Sequence, residues 1–242
     1  MRAPKRLKHI ISTKRSVLDN GSAFNSNSPL AQMINDSPAL ASLGLRFRHG
    51  PGKLQPDGLI QSLDRNFPAL RKLDIRGSFS IDWESFVGQT SPLYRFFENH
   101  PGLRAVTFTW DCSDQSPLTS AAHSMFDRLL PSLQEFSGMQ ALCVRIVGSP
   151  KLSQQIEKLR LIDNSNQPES PPSLNALSQE VSLLPRLREF EYTTQNYDPA
   201  HKPLDAECLG KFLLACPSLV LLKIPYFPDK LVSRFCPPQV QI

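Results

Sequence analysis

The side chains able to do acid–base or metal chemistry are scattered along this sequence of 242 residues. Its five histidines are His9, His49, His100, His123 and His201, and no HExxH or His/Cys ligand spacing joins them. The five cysteines are Cys112, Cys143, Cys208, Cys216 and Cys236. An odd number without a CxxC pair fits reduced thiols, and so a protein of the cytoplasm or nucleus. Cys208 and Cys216 fall at helical spacing and read as small core residues. Asp82-Trp83-Glu84 sets two carboxylates close together, as an acid–base pair requires. The preferred reading is the start of a helix, with acids near its positive end. His100 stands before Pro101 and is expected to serve the end of a helix rather than catalysis. No GxSxG elbow, P-loop or GxGxxG is present in the sequence. The expected class is therefore a non-enzyme, with no cofactor and no metal.

What the sequence does repeat is a structural phrase. It reads Pro68-Ala69-Leu70-Arg71-Lys72-Leu73-Asp74-Ile75 and returns as Pro101-Gly102-Leu103-Arg104-Ala105-Val106-Thr107-Phe108. Further copies are Pro185-Arg186-Leu187-Arg188-Glu189-Phe190-Glu191-Tyr192 and Pro217-Ser218-Leu219-Val220-Leu221-Leu222-Lys223-Ile224. Aligned on the first apolar residue, the anchors are Leu7, Leu40, Leu70, Leu103, Leu133, Ile156, Leu187 and Leu219. Their separations are 33, 30, 33, 30, 23, 31 and 32 residues. Positions +3 and +5 are mostly apolar. In a strand they point one way, into a core, while +2, +4 and +6 point the other way. A register of this period over the whole chain predicts a repeat solenoid. The expected fold is α/β: an irregular leucine-rich-repeat solenoid with a parallel concave sheet and outer helices. Residues 1–226 would hold about eight divergent units, and residues 227–242 a C-terminal cap or flexible tail.

Helical runs separate the phrases. Asp57-Gly58-Leu59-Ile60-Gln61-Ser62-Leu63 and Ser91-Pro92-Leu93-Tyr94-Arg95-Phe96-Phe97 each begin with a capping residue. Residues 119–130, 173–184 and 205–216 carry apolar side chains at helical spacing. Each run ends at or before the repeat proline, which cannot continue the helix. Residues 111–118, 164–173 and 195–203 are rich in Ser, Asn, Asp and Pro and read as loops. One unit is short. Residues 139–147 hold β-branched side chains that favour a strand locally. Parallel neighbours, however, need a crossover, so a short helix is expected there.

Charge is uneven. Residues 1–110 contain 15 Lys and Arg against 8 Asp and Glu, and residues 111–242 contain 12 against 14. Residues 1–16 are basic and lack the apolar stretch of a secretory signal. They suit nuclear import or transit, but Leu7-Lys8-His9-Ile10-Ile11 is preferred as a worn first repeat. No stretch approaches the ~18 apolar residues of a membrane span. The exposed strand face would present Arg46, then Lys72, Asp74 and Arg76, then Thr107 and Thr109. Further along it would present Ser137, Lys158, Arg160, Glu189, Glu191, Thr193 and Lys223. Its charge would run from basic through mixed to acidic, over roughly 35 Å for strands ~4.8 Å apart. Such a face suits a protein segment. Trp110 is a further candidate anchor.

Two segments resemble a family. Leu130-Pro131-Ser132-Leu133-Gln134-Glu135-Phe136-Ser137-Gly138, followed by Ile156-Glu157-Lys158-Leu159-Arg160-Leu161, resembles the divergent leucine-rich repeats of fungal F-box proteins. So does the junction Phe96-Phe97-Glu98-Asn99-His100-Pro101-Gly102-Leu103-Arg104-Ala105-Val106. The resemblance implies a substrate receptor of a cullin-type ubiquitin ligase, with the repeats holding a protein substrate. No F-box-like helical module precedes the first repeat here, so contact with the ligase adaptor is expected only if an equivalent exists. The asparagine that usually closes each repeat strand has its match only at Asn164, eight positions past an anchor. The alternatives are a stand-alone scaffold, or binding of nucleic acid or an acidic partner through the basic half. Nucleic acid is disfavoured, because no aromatic residues interleave with that basic run.

Overall fold

The computed structural model describes residues 9–12, 29–47, 60, 61, 63, 65–77, 91–109, 121–163, 173–181, 183–194 and 206–224. Asp82, Trp83, Glu84, Trp110 and Asn164 lie outside these residues, as do His49, His201, Cys112, Cys236, the runs 111–118, 164–172 and 195–203, and the tail 227–242.

The protein is α/β, with parallel strands alternating with helices along most of the chain. It divides into two compact units, Met1–Pro117 with Arg128–Ser132, and Leu118–Asp127 with Leu133–Ile242. In the first unit β1 (His9–Ser12), β2 (Ser42–Phe47), β3 (Lys72–Gly77) and β4 (Ala105–Thr109) pair in sequence order. Helices α1 (Pro29–Asn35) and α2 (Pro92–Asn99) lie between strands in the chain. Next comes α3 (Ala121–Leu129), whose residues are divided between the units. In the second unit β5 (Glu135–Met139) leads into α4 (Gln140–Gly148), α5 (Pro150–Gln155) and β6 (Lys158–Asp163). Then follow α6 (Ser173–Glu180), β7 (Glu189–Thr194), α7 (Ala206–Leu214) and β8 (Leu221–Lys223).

Strand register follows the repeat. Leu43 pairs with Leu73, and Leu73 with Val106. In the second unit Phe136, Leu159, Phe190 and Leu222 form the equivalent row. Every residue in both rows is buried. So are the anchors Leu40, Leu70, Leu103, Leu133, Ile156, Leu187 and Leu219. Burying one such side chain stabilises by about 1.5–3 kcal/mol, so a row of them fixes register strongly. Even the worn first repeat obeys it: Ile10 pairs with Leu43 and Ser12 with Leu45.

The strands enter the sheet through one recurrent device. The residue three before each described anchor is buried, as Ser37, Phe67, His100, Leu130, Ser153, Leu184 and Cys216. In five units its carbonyl accepts the anchor's N–H at 2.9–3.2 Å, a turn seen at Ser37, Phe67, His100, Leu184 and Cys216. Proline follows at the next position in each of these five, with φ already set for such a turn. In five units the carbonyl just past the anchor, at Ala41, Arg71, Gln134, Glu157 and Arg188, then accepts two N–H groups of the next unit. Ala41 takes Arg71 and Lys72, Arg71 takes Arg104 and Ala105, and Glu157 takes Arg188 and Glu189.

The helices cover the +3/+5 face. In α2 the Ser91 hydroxyl accepts the Tyr94 N–H and Pro92 opens the first turn, which buries Leu93, Tyr94, Phe96 and Phe97. Phe97 meets Phe108 of β4 edge to face, and Phe212 of α7 meets Phe190 of β7 with ring centres 4.4 Å apart. Past Met139, which closes β5, the expected helix forms as α4, Gln140–Gly148, despite its β-branched residues. Leu142, Cys143, Ile146 and Val147 are all buried there, so tertiary burial overrides local propensity. Gly138 replaces the apolar +5 residue in this unit, and Cys143 Sγ reaches its carbonyl at 3.4 Å.

Three helical details differ from expectation. The run at 173–184 is helical only to Glu180, and the repeat turn follows at Leu184. Helices α1 and α5 stand where the sequence signals no helix. Both open on Ser-Pro, as α2 does, and in α5 Ser149 caps Leu152 N–H. The strand-face rule also has exceptions. Met139 and Ile162 stand at +6 but are buried, being apolar cross-strand neighbours in register.

Candidate binding face

The residues at +2, +4 and +6 form rows across the strands, because repeat register and ladder register coincide. In the first unit the +2 row is Ser42, Lys72 and Ala105, and the +4 row is Gly44, Asp74 and Thr107. The +6 row is Arg46, Arg76 and Thr109. Arg46 and Lys72 are exposed, and neither has an ion-pair partner among the described residues. Arg76 turns back along its own strand, with Nε 2.7 Å from Asp74 Oδ1. Thr107 and Thr109 are half-buried, and the Thr109 hydroxyl has no hydrogen-bond partner among the described residues.

The second unit is arranged differently. Its +2 row is Glu135, Lys158, Glu189 and Leu221, and its +4 row is Ser137, Arg160, Glu191 and Lys223. Opposite charges therefore sit directly across neighbouring strands. Lys158 Nζ lies 2.5 Å from Glu189 Oε2, and Arg160 Nε lies 3.3 Å from Glu191 Oε1. Arg160 Nε also donates to Thr193 Oγ1 at 3.4 Å, and that hydroxyl donates to Glu191 Oε1. The Lys158 ammonium is held above its ordinary pKa, first by its hydrogen bond to Glu189 and then by the fields of Glu189, Glu135 and Glu191. The sequence suggested an acidic end to this face. Cross-strand pairing instead leaves a ladder in which Glu189 and Glu191 each meet a cation. Sequence composition could not reveal this, because it depends on which residues become neighbours.

The remaining candidates fall away from this face. His100 is buried between Phe67 and Phe96, with Phe67 stacked on the ring and Phe96 4.2 Å from it. Its Nδ1 lies 2.6 Å from the Phe96 carbonyl, and Nε2 accepts the Phe67 N–H. Neutral imidazole with its proton on Nδ1 satisfies both bonds. Desolvation outweighs the Phe96 bond and lowers its pKa below the ordinary value. This is the helix-end role expected for it. Cys143 and Cys216 are buried thiols with raised pKa, Cys216 to about 12. Burial disfavours the thiolate in each case. Cys216 is a core residue, as expected, while Cys208 is only half-buried.

Among the described residues no group of three or more His, Cys, Asp or Glu side chains could hold a metal ion. No described helix is long and apolar enough to cross a membrane. No protein-family model matches the chain, and no curated protein matches it significantly.

Proposed function

We propose that this chain is a non-catalytic protein-binding module, an irregular leucine-rich-repeat solenoid that recognises substrate for an F-box-type ubiquitin-ligase receptor. The observation that carries the proposal is the coincidence of sequence repeat and strand ladder. It commits +3 and +5 to the core and leaves +2, +4 and +6 side by side on the other face. Rows of side chains on a rigid sheet are the surface that solenoids use to hold protein segments. The ligase role draws on the resemblance of residues 96–106, 130–138 and 156–161 to the repeats of fungal F-box proteins. Arg46, Lys72, Asp74, Arg76, Thr107 and Thr109 are the candidate residues on the first unit's strand face, and Lys158, Arg160, Glu189, Glu191 and Lys223 those on the second's. Partner and chain would meet in the cytoplasm or nucleus.

The test is copurification from native cells of the tagged chain and a Thr107→Tyr variant, which places a bulky ring on the face. Ligase adaptor and cullin in both samples, with a third protein lost from the variant, is the expected result. A third protein lost without adaptor or cullin would make the chain a stand-alone scaffold and overturn the ligase role. Unchanged recovery of every partner by the folded variant would overturn the face itself.

A further inference from the structure

We propose that the first unit's strand face, and not the second's, takes the partner, and that the partner is an extended acidic peptide. This inference rests on the binding-face reading and narrows it. Arg46 and Arg76 stand directly opposite each other on β2 and β3. Like charges placed this way repel, and a carboxylate from outside relieves the repulsion. Lys72 lies at the other end of β3 between Ser42 and Ala105, with no acid beside it in its row. Across β2, β3 and β4 the only face carboxylate among the described residues is Asp74, already bonded to Arg76. The second unit offers no such excess of positive charge: Lys158, Arg160 and Lys223 are balanced by Glu135, Glu189 and Glu191 in the same rows, and two of these pairs are already closed.

The floor between the basic posts is low. Ser42, Gly44, Ala105, Thr107 and Thr109 project little, so an extended backbone can lie close to the sheet. Lys72 and Arg76 are four residues apart on one strand, which spans about 13 Å. An extended peptide has the same rise, so acids four residues apart meet both cations. The residue midway faces Asp74, and an acid there is repelled. The recognised pattern is therefore acid–x–non-acid–x–acid, with one terminal acid between Arg46 and Arg76.

The experiment is fluorescence anisotropy on the full chain with three probes. One is a labelled Ser/Thr peptide with glutamates four residues apart, and the second adds a glutamate midway. The third is a single-stranded oligonucleotide of equal length. The first peptide should bind best. Arg46→Ala and Lys72→Ala should each weaken it about tenfold, as loss of a charge-assisted contact does. Lys151→Ala should leave it unchanged within about twofold, since that exposed lysine stands on α5 and not on a strand face. Asp74→Asn should restore affinity for the peptide with three glutamates, a gain that misfolding cannot produce. Equal binding by the Arg46 and Lys72 variants, or tighter binding of the oligonucleotide, would overturn the proposal. No peptide binding, while Thr107→Tyr still loses a partner in cells, would overturn the acidic partner but keep the face. Loss of neither would remove both.

Discussion

His100 Nε2 accepts the backbone N–H of Phe67 across 3.0 Å, tying the turn of one repeat to the turn of the next. The two residues occupy the same repeat position, 33 residues apart. The bond requires a neutral ring. Protonation would add a hydrogen to Nε2 and set two donors against each other.

That relationship predicts a stability loss in mild acid. The folded-state pKa of His100 is lowered by desolvation from 6.5, so the unfolded chain takes up the proton first. Its contribution is full above about pH 6.5 and is lost as pH falls through the lower folded value. Urea midpoints should fall between pH 7 and pH 5 in the native chain. In His100→Gln the fall should be smaller, from a starting stability lower by about 1–2 kcal/mol. Parallel pH profiles of the two proteins would refute this role.

Gly102 is held open for Arg71. A Cβ at position 102 would sit 2.7 Å from Arg71 Nη1, the atom that donates to the carbonyls of Pro68 and Leu70. The guanidinium is the flexible end of its side chain, so Gly102→Ala should be tolerated at the cost of these two bonds, one exposed and one part-buried, about 1 kcal/mol. In an Arg71→Ala background the same glycine change should be neutral or slightly stabilising. Equal cost in both backgrounds, by thermal unfolding, would contradict the contact.

The Lys158–Glu189 pair should contribute little to stability by itself, because both side chains are about half exposed. Lys158→Glu places three carboxylates in the row Glu135, position 158, Glu189 and should destabilise by about 1 kcal/mol. Adding Glu189→Lys should recover most of that loss. A double-mutant cycle without coupling would mean that the ladder is only geometric.

Thiol labelling separates the three described cysteines. Cys143 and Cys216 are buried and their thiolates disfavoured, whereas Cys208 is half-buried. Peptide mapping after brief alkylation at pH 8 should find Cys208 modified well before the other two. Early modification of Cys143 would mean that α4 opens readily from β5.

Much of this fold was legible because its signal is periodic. The anchors Leu40, Leu70, Leu103, Ile156 and Leu187 and their +3 partners name both the strands and their register. Residues 139–147 are legible as a helix only through topology, since Val144, Ile146 and Val147 favour a strand by local propensity. α1 and α5 are not legible in the sequence, because each is short, with a Ser-Pro start as its main signal. The face was legible as a set of residues but not as an electrostatic surface. Lys158 and Glu189 are far apart in sequence, and only the sheet makes them neighbours.

The most direct measurement is photo-crosslinking in native cells from single benzoylphenylalanine substitutions. Thr107 and Lys223 place the probe on the strand faces of the two units, and Glu98 and Glu207 on exposed helical positions. A partner held by the strand face should crosslink from position 107, with little or no product from 98 or 207. Strong crosslinking from the helical positions, with none from either strand position, would contradict the account.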